Sequence, residues 1–190
     1  MKKLKEVSAS FPGVIASRNK LKFKYEKKVV AELVFEHLAR VDAYVLVGLV
    51  YGGSLFDCAS HYTPPYKSNL FGGAGFSFTT SGDRGKIFSG DFGGAIKTPD
   101  SVSLRSVCDH IGSVLEDFYI PMVLGCIAPT GRTIRDVLSA PDNYAYPAVF
   151  VHCAMSLCPG LVSEQELSEV LSCKEIVKNK GYDLPLLALK

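Results

Sequence analysis

Apolar residues fall at Leu104, Val107, Cys108, Ile111, Val114, Leu115 and Phe118, in steps of three and four. That spacing predicts a helix over 101–119 with one apolar side. Pro99 and Asp100 stand before it as a stop and a candidate cap, and Pro121 closes it, because the residue before a proline is pushed out of the α region. From Lys20 the period is two. Leu21, Phe23 and Tyr25 alternate with Lys20, Lys22 and Lys24, the pattern of a half-buried strand. Residues 29–38 continue that style, with Leu33 and Phe35 facing one way and Glu32 and Glu36 the other. Residues 43–51 are apolar at nearly every position and rich in valine, which predicts a central strand covered on both faces. Gly48 inside that run implies a close approach of another chain segment or a bulge. The segment 4–18 reads as a short opening helix broken at Pro12-Gly13.

From 54 to 97 the chain loosens into glycine, proline and serine. Phe76 and Phe78 alternate with Ser77 and Thr79 in a short strand, residues 86–92 form a second, and 81–85 would be the hairpin loop between them. Residues 54–70 form a long loop of the kind that carries function. Beyond the amphipathic helix, 130–140 and 147–158 read as helices, with Pro147 in a first turn and Pro159-Gly160 as a stop. Ser163 and Glu166 form a capping-box pattern opening a helix whose inner face is Leu167, Val170, Leu171 and Val177, with Gly181 as its stop. The expected architecture is one α+β domain over 1–190. An antiparallel sheet of about five strands in the N-terminal half packs on the helix 101–119, and short helices fill the C-terminal half.

Composition narrows the class. At 190 residues, 47% apolar and 21% charged with a net charge of +2, the chain is of globular type, not disordered. The run 43–51 is far short of the roughly 20 apolar residues of a membrane helix, and the lysine-rich start leads into no apolar core. A cytoplasmic protein with free thiols at Cys58, Cys108, Cys126, Cys153, Cys158 and Cys173 is therefore the expectation. Residues 1–28 hold nine Lys and Arg against two Glu. That excess reads as a solvated strand face, since exposed strands commonly carry lysine.

The most reactive-looking cluster is Asp57-Cys58-Ala59-Ser60-His61, in which His61 could draw the proton from a Cys58 nucleophile oriented by Asp57. A catalytic histidine normally arrives from elsewhere in the chain, and His110 and His152 are the distant options. The pairs Cys58/His61, Cys108/His110 and His152/Cys153 lack the spacing of a zinc module, so no metal is expected. Gly82, Gly85 and Lys86 lack the gap and the hydroxyl of a phosphate loop, so no cofactor is expected either. Aromatics give the better lead. Tyr51, Phe56, Tyr62, Tyr66 and Phe71 line the loop after the central strand, and Tyr144 and Tyr146 precede a helix. Tyrosine-rich loops favour recognition of a partner, and with only Lys67 beside them nucleic acid is not the expected one.

The order of features, with a lysine-bearing strand, a meander, an amphipathic helix running into Ile120-Pro121 and then short helices with 148–157 apolar, resembles small bacterial domains of unknown function among polymorphic-toxin immunity proteins. The resemblance covers residues 20–158, and the insert 54–97 departs from it. It implies a non-enzymatic protein-binding domain that occludes a toxin, the sheet edge or the aromatic loops covering the toxin's active site. From the reading of those loops the expected contacts are Phe56, Asp57, Tyr62, Tyr66, Phe71, Asp83 and Tyr144. For a basic toxin, Asp57, Asp83, Asp91, Glu116 and Asp142 are the acids expected to meet it. The alternatives are a small hydrolase or transferase using Cys58 with a distant histidine, and a small-ligand-binding or secreted effector domain. Oligomeric state is left open.

Overall fold

Leu21 and Phe23 are fully buried while the lysines between them stay in contact with water, so the two-residue period of this segment folds as a strand with one dry face. The computed structural model describes residues 2–82, 87–89 and 94–188. Its strands are β1 (Val14–Ser17), β2 (Lys20–Tyr25), β3 (Lys28–Leu38), β4 (Ala43–Val50), β5 (Phe76–Thr79) and β6 (Ile96–Lys97). They form one sheet in the order β1-β2-β3-β4-β5, with β6 paired to β4. β1 and β2 pair antiparallel, as do β2 and β3, with Leu21 opposite Leu33 and Phe23 opposite Ala31. Two strands were not expected: β1, because 4–18 divides into helix α1 (Lys2–Ala9) and this edge strand, and the two-residue β6. The Glu26-Lys27 turn does without glycine, and both residues take positive φ, 48° and 69°.

The chain forms two compact units, one of residues 1–49 and 78–123, the other of 50–77 and 124–190. In the first, Gly48 answers the sequence reading of a close approach. A Cβ at this position would fall inside the ring of Phe78. Phe78 in turn stacks on Tyr119 with ring centroids 5.4 Å apart and planes 9° from parallel, and Phe88 meets Tyr119 edge-on. Such a pair adds about 0.5–1.5 kcal/mol beyond the area it buries.

The amphipathic helix does not stop at Pro121. Helix α3 (Leu104–Val114) passes through a π turn (Leu115–Tyr119) into α4 (Ile120–Ile127). A proline ring in a regular helix collides with the carbonyl four residues back and removes that hydrogen bond. Here the turn ahead of the ring is widened: the Ile120 amide donates to Leu115 O, five residues back. The extra residue also rotates the remainder of the helix, so that Tyr119, at 2% exposure, turns inward in place of Phe118. At the other end Leu104 is 50% exposed, outside the predicted buried stripe. The composite helix Leu104–Ile127 has 24 residues, and an 18-residue window within it has a mean hydropathy of 1.2, long and apolar enough to cross a membrane by length and composition. Of that window 44% is buried inside the protein, and Leu115, Tyr119, Ile120, Val123 and Cys126 are among the helix residues that are.

In the second unit lie α2 (Ser54–Ala59), α5 (Thr133–Ser139), α6 (Pro147–Leu157), α7 (Glu164–Ser172) and α8 (Lys180–Ala188). α6 has Pro147 in its first turn, and its residues Pro147 to Ala154 are all buried. The capping box at Ser163 and Glu166 opens α7, and Val170 is buried as expected. Leu171 is 41% exposed, and Gly181 lies inside α8 and stops nothing. The 54–70 loop contains the short α2. Of the second strand expected at 86–92, residues 87–89 form a turn instead, and the rest lie outside the described residues with Asp83, Asp91 and 83–85 of the hairpin loop, whose start at 81–82 belongs to a 3-10 turn (Thr80–Gly82).

Gly48→Ala is expected to destabilise the protein by about 1–3 kcal/mol through overpacking against Phe78, read as a lowered denaturation midpoint. In a Phe78→Leu background the same change should be milder. Equal losses in both backgrounds would mean that the ring is not the obstacle.

Candidate functional site

Residues 54–75 return to the second unit several times, and each return uses a side chain singled out in the sequence. Cys58 on α2 is joined by a disulfide to Cys153 on α6, with Cα atoms 5.9 Å apart. This corrects the expectation of six free thiols. While that bond stands Cys58 is no nucleophile, since sulfur bonded to sulfur has no thiolate to offer. His61 is exposed, its Nδ1 3.4 Å from the Cys58 carbonyl oxygen, and Asp57 is exposed, so the sequence-adjacent triad is not assembled. Cys108, Cys126, Cys158 and Cys173 remain free. Burial pushes the Cys126 thiol up to about 12, which makes it inert.

The tyrosines expected to meet a partner are largely spent inside. The Tyr62 hydroxyl lies 2.7 Å from His152 Nε2, with the two rings edge to face. His152 is 5% exposed, and its Nδ1 has no hydrogen-bond partner. Burial lowers its pKa, against a smaller opposite effect from the Leu186 backbone, so the ring is neutral at pH 7, and its tautomer decides which of Nε2 and the Tyr62 hydroxyl donates. The Tyr66 hydroxyl donates to Asp183 Oδ1 at 2.7 Å, and Asp183 Oδ2 accepts from the Asn179 amide at 2.7 Å. Asp183 is wholly buried, so these two bonds replace the water it has lost. Burial first, and then this bond to Asp183, raises the Tyr66 pKa far above its usual value. Tyr144 is 1% exposed, its hydroxyl 3.5 Å from Cys126 Sγ and its ring against Phe76 and Phe150. A fully buried ring cannot touch a partner, which corrects its assignment to the contact surface.

Phe71 behaves oppositely. It is 97% exposed, the most exposed of the large apolar side chains. It precedes Gly72 and Gly73, both with φ near +78°, a conformation that lets the loop turn sharply behind the ring. Both flanks are tied down. Asn69 donates from its amide to Ala145 O and from Nδ2 to Tyr144 O and Pro141 O, and Lys178 Nζ bonds Asn69 Oδ1. On the far side Gly75 donates to Val50 O and accepts from the Ala145 amide. A side chain at Gly75 would strike the Phe56 and Phe150 rings, so glycine lets the strand lie on them. Beside this tip is an open groove of about 240 Å³, lined by Phe56, Tyr62, Leu70, Tyr146 and Phe150 among others. Phe56 and Tyr62 thus line the surface the sequence pointed to, Tyr66 anchors it, and Phe71 projects from it.

A second cleft, lined by Arg135, Gln165 and Glu166, is structural. The Glu166 carboxylate is bonded by Ser163 and by Arg135 Nε at 2.8 Å, and Ser163 above all holds its pKa down at about 2. In the first unit, His37 Nε2 lies 2.9 Å from Asp42 Oδ1, which also accepts from Thr98 Oγ1 at 2.7 Å. Both bonds lower the Asp42 pKa, Thr98 more than His37. No described group of three or more metal-ligating side chains comes together. Comparison of the chain with protein-family models, curated proteins and solved structures found no match.

The buried polar pairs generate two expected outcomes. Tyr66→Phe leaves Asp183 short of a donor and should destabilise the protein by about 1–3 kcal/mol, measured by chemical denaturation. His152 has a folded pKa below its ordinary 6.5, so on acidification through that range the unfolded chain takes up a proton that the folded chain refuses. Its contribution is full above about pH 6.5, falls as the pH drops through it, and levels off below the folded pKa. Between pH 7.5 and 5 the natural protein should therefore lose more stability than His152→Gln. Parallel losses would contradict the assignment.

Proposed function

We propose that this chain is a non-enzymatic protein-binding domain of the immunity type, a cytoplasmic inhibitor that covers the working surface of a toxin. Phe71 makes the central contact. The observation that carries this reading is a nearly fully exposed phenylalanine on a loop hydrogen-bonded on both sides. A large apolar ring in water gains free energy when a partner covers it. Holding it in place beforehand lowers the ordering loss on binding. Buried aromatic anchors surrounded by a polar rim dominate the energetics of protein interfaces. The groove beside the tip, with Phe56 and Tyr62 in its lining, would receive an apolar side chain of the partner. Its rim fits a basic partner, because Asp57 on α2 is exposed and unpaired.

Size argues against this groove as a small-molecule site. Pockets for such ligands enclose about 300–1,000 Å³ and bury most of the ligand, whereas this groove is open and holds about 240 Å³. The hydrolase reading finds no assembled base: His61 and Asp57 are exposed, and His61 Nδ1 faces the Cys58 carbonyl oxygen.

The test is capture of the tagged full chain with the products of neighbouring genes, first in natural form and then as Phe71→Ala. Capture of one such product is expected, weakened at least about thirtyfold by the substitution, the loss typical of a central aromatic, with an unchanged melting temperature. No complex with any neighbour, or a complex indifferent to Phe71→Ala, overturns the proposal.

A further inference from the structure

The groove wall formed by residues 56–62 is held at two ends by different means. At its start, Gly53 takes φ +104° and lies against Ile127, where a Cβ would collide with the Ile127 carbonyl. Ser54 Oγ donates to Ile127 O at 3.3 Å, and Leu55 is wholly buried. At its finish the attachments are the bond from Cys58 to Cys153 and the hydrogen bond from Tyr62 to His152, both reaching α6. Tyr62 follows Cys58 closely: its amide donates to Ala59 O, and the His61 amide donates to Cys58 O. α2 has only six residues and no side-chain cap, too few to hold its shape without tertiary attachment. Asp57, Ser60 and His61 are exposed and bury nothing that would take over from the sulfur bond.

We propose that the Cys58–Cys153 disulfide is a redox latch on this groove: oxidised, it fixes the Phe56–Tyr62 wall; reduced by a dithiol, it frees the wall while the Gly53–Leu55 anchor keeps the fold. The proposal rests on the reading of the groove as the contact surface. Sulfur accessibility sets the course of the exchange. Cys58 is half-buried and Cys153 fully buried, so a reductant thiolate attacks Cys58 Sγ. A mixed disulfide forms as the Cys58–Cys153 bond breaks, and Cys153 leaves as a thiolate that takes a proton. The reductant's second thiol then displaces Cys58. Two electrons have passed to the cysteine pair, and the reductant departs as its own disulfide. In a reducing cytoplasm the latch would stand open, and an oxidising condition would close it.

The test is hydrogen exchange on the full chain, with and without dithiothreitol, alongside the double variant Cys58→Ser, Cys153→Ser. Alkylation should count four reactive thiols in the denatured unreduced chain and six after reduction. Exchange at residues 57–62 should be at least tenfold faster in the reduced chain and in the double variant, with residues 20–38 unchanged. Six thiols without reductant, an unchanged rate at 57–62, or acceleration throughout the chain would each overturn the latch. Failure of the contact-surface reading shows elsewhere, as partner capture indifferent to Phe71→Ala, and leaves the exchange result standing.

Discussion

Pro121 has no amide hydrogen to give and a ring that needs room, and the fold accommodates both inside its longest helix. Widening the turn at Leu115–Tyr119 lets the helix run on to Ile127 where the sequence pattern alone would end it. The resulting rotation sends Tyr119 inward, and Tyr119 is the ring on which Phe78 stacks and against which Phe88 rests. Phe78 in turn requires Gly48 to be glycine. One constraint at a proline thus propagates through three aromatic side chains and one glycine of the first unit. The same helix delivers Cys126 and Ile127 to the core of the second.

What was legible in the sequence was periodic. β2, β3, β4 and β5, the α6 start at Pro147 and the capping box of α7 all express alternation or terminal chemistry within a few residues. What was not legible depends on distant partners. A proline reads as a stop unless the turn before it can widen, and that depends on what the rotated face will meet. α2 has too few residues for a period to show. Gly181 reads as a terminator, yet α8 forms around it because Asn179 and Asp183 bond at its start.

The site divides the same way. Aromatic density between Tyr51 and Phe71 pointed to the right segment, but residue type does not tell which ring turns out. Tyr66 finds a buried carboxylate 117 positions along the chain, and Tyr62 a histidine 90 positions along. Phe71 finds nothing, because its neighbours Asn69 and Gly75 are the ones tied down. The disulfide was misread for a related reason. Cys58 and Cys153 are 95 residues apart, and the inference from compartment had no view of their geometry.

The edge strand β1 has four residues, Val14 to Ser17, and the chain reverses at once through Arg18 at φ 52°. An edge of that length offers an incoming strand few backbone groups to pair with, and the lysines of β2 lie directly behind it. Templated growth of sheet on sheet, the route by which exposed strands seed fibrils, starts from long flat edges. This border of the sheet gives such growth little purchase. A strand lent from another chain would find little to pair with along this border.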